Sequence, residues 1–121
     1  MSPETAHTRL ETENNIWIAS TRPDGRPHLT PVWFAWHDGI IHICIPADSV
    51  KAQNFSRNPK VSCALENGSA PLICEGDVTP VDLPGPAGVA AIFQAKYNWD
   101  IRTDDKYTLL LQIHPHKWLN W

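Results

Sequence analysis

The chain has 121 residues, a formal net charge of −3 and a pI near 6.0. This length suits one domain with one real core. A mildly acidic balance gives no footprint for nucleic acid or an anionic membrane, and no apolar run is long enough to span a bilayer.

The first segment, "MSPETAHTRLETEN", is polar and acidic and does not read as a signal peptide. Residues 4–13 read as a short amphipathic helix. The stretch "NNIWIASTRPDGRPHLTPVWFAWHDGIIHICIP" reads as three strands joined by two tight turns at Asp24-Gly25 and Asp38-Gly39, where Gly accepts the positive φ a hairpin needs. Ile16 and Ile18 alternate with Trp17 and Ala19. Ile41, Ile43 and Ile45 share one face of the third strand, and His42 and Cys44 the other. Pro31 inside the second strand predicts an edge position or a bulge. His28, His37 and His42 read as strand-surface or turn residues.

"ADSVKAQNFSRNP" follows. Residues 49–57 fit a helix of two to three turns with Ser49 or Asp48 as N-cap, ended by Asn58-Pro59. Lys51 falls in its first turn, where the helix already carries partial positive charge and unpaired N–H groups. Either Asp48 pairs with it, or an outside anion such as a phosphate completes the site. "KVSCALENGSAPLICEGDVTPV" gives two more strands around Asn67-Gly68. Val89, Ile92, Phe93 and Tyr97 then recur at helical spacing, with Pro86 near the first turn. "KYTLLLQIHP" is apolar on both faces and so is expected to be covered on both sides. Six strands in hairpins, with a helix between the third and fourth, define a mainly β fold, a small antiparallel barrel.

The three cysteines, Cys44, Cys63 and Cys74, lie scattered in apolar runs without a CxxC pair. They read as buried free thiols of a reducing cytoplasm. Six tryptophans fit either an aromatic core or a flat surface that meets a ligand or another subunit. One small barrel this rich in tryptophan is expected to leave an apolar face uncovered, and hence to dimerise. No G-x-S-x-G, GxGxxG or P-loop is present. His114 and His116 lack a third metal ligand, and Asp104 and Asp105 read as solvated loop carboxylates. The remaining candidates are the helix start at Ser49 and Lys51 and the aromatic strand "HLTPVWFAW". Neighbouring strands bring Thr30 to Trp33 near Ile45, Ser49 and Lys51, a groove suited to a flat aromatic ligand with a phosphate tail.

The run "IASTRPDGRPHLTPVWFAW…IHICIPADSVKAQNFSRNPKVSCAL…EGDV" resembles the pyridoxamine 5′-phosphate oxidase-like, FMN-binding split-barrel proteins. The order PDGxP, PVWF, S-x-K, N-x-x-R-N-P carries the resemblance from about Ile16 to Val78. It implies a homodimer of six-stranded split barrels with FMN at the subunit interface. Phosphate contacts are implied at Ser49 and Lys51. Backbone of Thr30, Pro31, Val32 and Trp33 would face the isoalloxazine ring, and Cys44 and Ile45 would pass the ribityl chain. Trp118 or Trp121 would reach the partner's ring. The implied activity is hydride transfer to or from a small organic substrate, with no side-chain acid or base required. The chain departs from the founding oxidases at Val50 and Thr30, where they carry arginine, and lacks their C-terminal substrate motif. It therefore looks like the short, divergent members rather than a pyridoxamine phosphate oxidase. Some of those use a deazaflavin (coenzyme F-420) with arginine where Ser49 stands, which favours FMN here. A non-catalytic flavin- or haem-binding protein is the further alternative.

Overall fold

The computed structural model describes residues 1–120. Ten elements follow in chain order: α1 (Pro3–Thr12), β1 (Ile16–Thr21), β2 (Pro27–Val32), β3 (Ala35–His37), β4 (Ile40–Ile45), α2 (Val50–Arg57), β5 (Lys60–Leu65), β6 (Leu72–Val81), α3 (Val89–Tyr97) and β7 (Leu109–Asn120). The strands form one antiparallel sheet in the order β2-β1-β5-β6-β7-β4-β3. The expected mainly β split barrel is present, with seven strands rather than six.

The extra strand arises because the expected second strand is broken at Trp33-Phe34. β2 and β3 are consecutive in sequence yet lie at opposite edges of the sheet. Seven flat strands would span about 29 Å across, at ~4.8 Å per neighbour. The link from Val32 to Ala35 reaches at most about 11 Å. The sheet must therefore curl until its edges almost meet. Pro31 is tolerated because β2 has only β1 as neighbour, which places it on an edge.

The inward faces of the strands fill the barrel. Ile16, Ile18, Ile41, Ile43, Ile45, Leu111 and Ile113 form its core with Ala52 and Phe55 of α2. Ser49 caps α2, its Oγ accepting from Ala52 N at 3.2 Å. Buried Asn54 of α2 donates to Ser20 Oγ of β1 at 2.9 Å, which fixes the helix against the strand. A second cluster lies on the other side of β4 and β7: Cys44 and Leu110 pack beneath Val89 and Phe93 of α3 and Ile101. This is why the last strand is apolar on both faces. It also corrects the reading of His42, which is fully buried rather than at the surface. His42 Nε2 lies 3.2 Å from Gln112 Nε2, and burial pushes its pKa down. Pro86 sits outside α3, whose N-cap is Gly88 at φ 99°.

β7 runs past Pro115 because a register shift absorbs it. Glu75 faces Lys117 and Gly76 faces Pro115, leaving His116 as the extra residue of a bulge. His116 Nε2 meets Asp77 Oδ2 at 2.6 Å, and His114 Nε2 meets Thr79 Oγ1 at 2.9 Å. No group of three potential metal ligands occurs among the described residues. Among them, too, no helix is long and apolar enough to cross a membrane.

A Cβ at Gly76 would strike the backbone carbonyl of His114, which cannot swing aside. Gly76→Ala should lower stability by about 1–3 kcal/mol, as overpacking does. Urea denaturation checks this; an unchanged midpoint would contradict the close approach.

Candidate functional site

A cavity of about 660 Å³ opens where four chain segments converge. The end of β2 and the crossover supply Pro31, Val32 and Trp33. The end of β4 supplies Cys44, Ile45 and Pro46. The start of α2 supplies Ser49 and Lys51. The end of α3 and the loop after it supply Tyr97, Asn98, Trp99, Asp104 and Tyr107, and Asn15 completes the lining. Seven of the candidates named from sequence thus share one cavity. Thr30 and Trp118 do not line it. Thr30 is the register partner of Ile18 and so faces the barrel side of β2. Trp118 packs edge-on against Trp36 with centroids 5.9 Å apart. Trp121 lies outside the described residues.

The cationic corner is built by α2. Lys51 is half-buried and forms no ion pair among the described residues, with Asp48 or any other carboxylate. Burial pushes its pKa down. An ammonium near a helix start, without a counter-ion, is raised in energy by the helix dipole and by lost hydration. Ser49 and the first N–H groups of α2 stand beside it.

Much of the remaining lining is aromatic. Trp33, 47% exposed, stacks on Tyr97 with centroids 4.4 Å apart and planes 5° apart. Trp99 meets Trp33, Phe93 and Tyr107 edge-on. Sequence reasoning named Trp33 but missed Tyr97, Trp99 and Tyr107, although the aromatic density at and just beyond a helical segment was a usable signal. Asp104 is not the merely solvated carboxylate expected from sequence. Its oxygens accept from Lys106 N, Tyr107 N and Trp99 Nε1 at 2.8–2.9 Å, which shapes the loop. Backbone donation from Tyr107 and Lys106, then the Trp99 indole, holds its pKa below the usual carboxylate value.

α3 also holds the crossover. Phe34 N donates to Tyr97 Oη at 3.0 Å, and Tyr97 Oη donates to Asn14 O at 2.8 Å. Lys96 Nζ donates to Glu13 O and Phe34 O at 2.8 and 3.0 Å and sits 4.0 Å from the Phe34 ring centroid. Burial pushes Lys96 down to about 8.

Of the lining side chains, Cys44, Tyr97 and Asp104 are each committed to partners within the chain. The Cys44 thiol donates to Tyr107 O at 3.2 Å, and burial, reinforced by Asp104, pushes its pKa up to about 11. Asp104 stays ionised, and the Tyr97 hydroxyl is committed to backbone partners. The arrangement can hold a flat ring between aromatic walls and an anion at Lys51. As an edge strand, β2 also leaves alternate backbone groups free for a ring's polar rim.

A family model described as pyridoxamine 5′-phosphate oxidase matches residues 2–121. The chain belongs to that family. No curated protein matches it. Among solved structures it is similar to a protein named F420 reductase, with 22% identity, 98% of each chain covered and a TM-score of 0.78. It is also similar to a conserved hypothetical protein from Mycobacterium tuberculosis, at 25% identity, 100% of this chain and 84% of that one covered, TM-score 0.78. A third similar structure is the heme storage protein HutZ from Vibrio cholerae, at 16% identity, 99% and 95% covered, TM-score 0.81.

Lys96 supplies a signed pH test. Between its folded pKa of about 8 and its unfolded value near 10.5 the unfolded chain binds more protons. Stability should therefore rise with pH through that window, relative to Lys96→Met. Thermal melts of both proteins at pH 7 and pH 10 check this. A difference that stays flat or falls would contradict the burial of the ammonium.

Proposed function

We propose that the chain binds a phosphate-bearing flavin, FMN in the first instance, in the cavity between β2, β4, α2 and α3. The observation that carries this reading is Lys51: a half-buried cation without a carboxylate partner, beside a Ser-capped helix start, at one end of a cavity walled by Trp33, Tyr97 and Trp99. The phosphate would lie against Lys51 Nζ and Ser49 Oγ. The ring would lie along the backbone of Pro31 to Trp33, and Cys44 and Ile45 would pass the linking chain. When bound, the flavin supplies hydride exchange with a small organic substrate. The protein's part is to hold the ring, keep one of its faces open and shield the other from water. That division of labour suits a site whose Cys44, Tyr97 and Asp104 are each committed elsewhere.

The deazaflavin coenzyme F-420 is the alternative cofactor for the same cavity. Bound haem fits less well, because no histidine lines the cavity among the described residues to ligate iron. Three free, buried thiols suit a reducing cytoplasm.

The working unit on this reading is a homodimer. The outer face of the sheet carries a row of apolar register partners, Pro31–Trp17–Ala64–Ile73–Leu119 across β2, β1, β5, β6 and β7. All of them keep solvent exposure. Leu29, 59% exposed, stands opposite Ala19 in the next row. Pro31 belongs both to this row and to the cavity lining, so a second copy on the face would reach the cavity mouth. A two-fold interface can bury such a face against itself.

Lys51→Ala should weaken FMN binding by about 1.5–3 kcal/mol, the range for a charge-assisted bond. Fluorescence titration checks this, and unchanged affinity would remove Lys51 from the site. Titrating coenzyme F-420 in parallel decides between the cofactors. Sedimentation should give a dimer at micromolar concentration; a monomer would contradict the interface.

A further inference from the structure

The barrel-side corner, or cleft, where β1 and β2 meet α2 near Lys51 holds polar atoms that have no hydrogen-bond partner among the described residues. His28 is the register partner of Ser20, and Thr30 of Ile18. Opposed residues of an antiparallel pair share a face, so both side chains lie on the barrel side of β2. Ser20 is itself bonded to Asn54 of α2. Lys51 lies three residues before Asn54, on the same flank of that helix. His28 Nδ1, Thr30 Oγ1 and Arg22 Nε, at the end of β1, are each shut off from solvent with no hydrogen-bond partner. Buried polar atoms without partners are costly, and several in one cleft point to a missing ligand.

The charges in the cleft agree. Burial first, then the fields of Arg22 and Lys51, push the His28 pKa down. Asp24, the nearby carboxylate of the β1–β2 turn, is already held by Arg26 at 2.8 Å. Arg22 and Lys51 therefore both act on the His28 imidazole; Asp24 also feels Arg22, but its hydrogen bonds go to Arg26.

We propose that His28 is a proton-coupled ligand of the anion held by this cleft: neutral when the cleft is empty, it takes up a proton as the anion arrives, and Nδ1 then donates to it. Thr30 Oγ1 and the Arg22 guanidinium supply further donors. The ligand class is a phosphate monoester or an anion of equal charge. This deepens the reading of Lys51 as a phosphate site and rests on it. The proton comes from solvent, and no bond is made or broken in the ligand. The physical reason is that the same imidazolium repelled by Arg22 and Lys51 is stabilised once a dianion lies between them.

The test follows the His28 Cε1–H resonance by NMR across pH in the full-length protein, alone, with FMN and with inorganic phosphate. A bound anion should raise the midpoint by about 1–2 pH units. In parallel, the ratio of wild-type to His28→Gln affinity for FMN should fall roughly tenfold from pH 6 to pH 9, and the ionisation of FMN's own phosphate cancels in that ratio. FMN binding with an unmoved His28 midpoint overturns the proposal and leaves the cofactor reading standing. A midpoint raised by phosphate, with no binding of FMN, supports the anion cleft and removes the flavin. If neither probe binds, both fall.

Discussion

The constraint on which the structure depends is the two-residue step at Trp33-Phe34. β2 and β3 occupy the two extreme edges of the sheet, yet the chain crosses between them almost at once. That step forces the sheet to curl, and curling brings the ends of β2 and β4 beside the starts of α2 and the α3 loop. The cavity is therefore a by-product of closure, formed where the barrel is incompletely sealed. The crossover adds Trp33 to its lining, and the crossover backbone is secured from α3: Phe34 N donates to the Tyr97 hydroxyl, and Phe34 O accepts from the Lys96 ammonium. The stacked pair Trp33 and Tyr97 is the visible face of the same clasp.

Onto this frame α2 delivers positive charge. The helix is pinned by packing of Phe55 into the core and by the buried Asn54–Ser20 bond, so its first turn cannot drift. Lys51 is thereby kept in a place that its own electrostatics disfavour. The aromatic residues of the lining offer area to a planar ring. One fold thus brings a cation and a set of aromatic side chains to a single cavity.

Much of this was legible in the sequence because its causes are local. Asp24-Gly25 and Asp38-Gly39 turn the chain through residues at positive φ, Gly25 at 89° and Gly39 at 73°. Ser49 caps α2 as its hydroxyl permits, and Asn58 before Pro59 leaves the helix in extended geometry. Alternation fixed which faces of β1 and β4 look inward. What sequence hid has long-range causes. Nothing in "VWFAW" signals a strand break, because the groups freed at Phe34 find partners on residues 96 and 97. His42 looked like a surface residue because the cover over its face comes from a segment far along the chain. On the α3 side of the cavity the aromatic density was legible, but not the loop from Trp99 to Tyr107 that Asp104 organises.

The central claim is that the corner at Lys51 selects an anionic tail rather than merely tolerating a flat ring. Comparing FMN with riboflavin tests it most directly, since the two share the ring and differ by the phosphate. The account predicts that FMN binds at least about tenfold more tightly, a gap of ~1.4 kcal/mol or more, and that this gap narrows as salt screens the cation. Equal affinity for the two would contradict it.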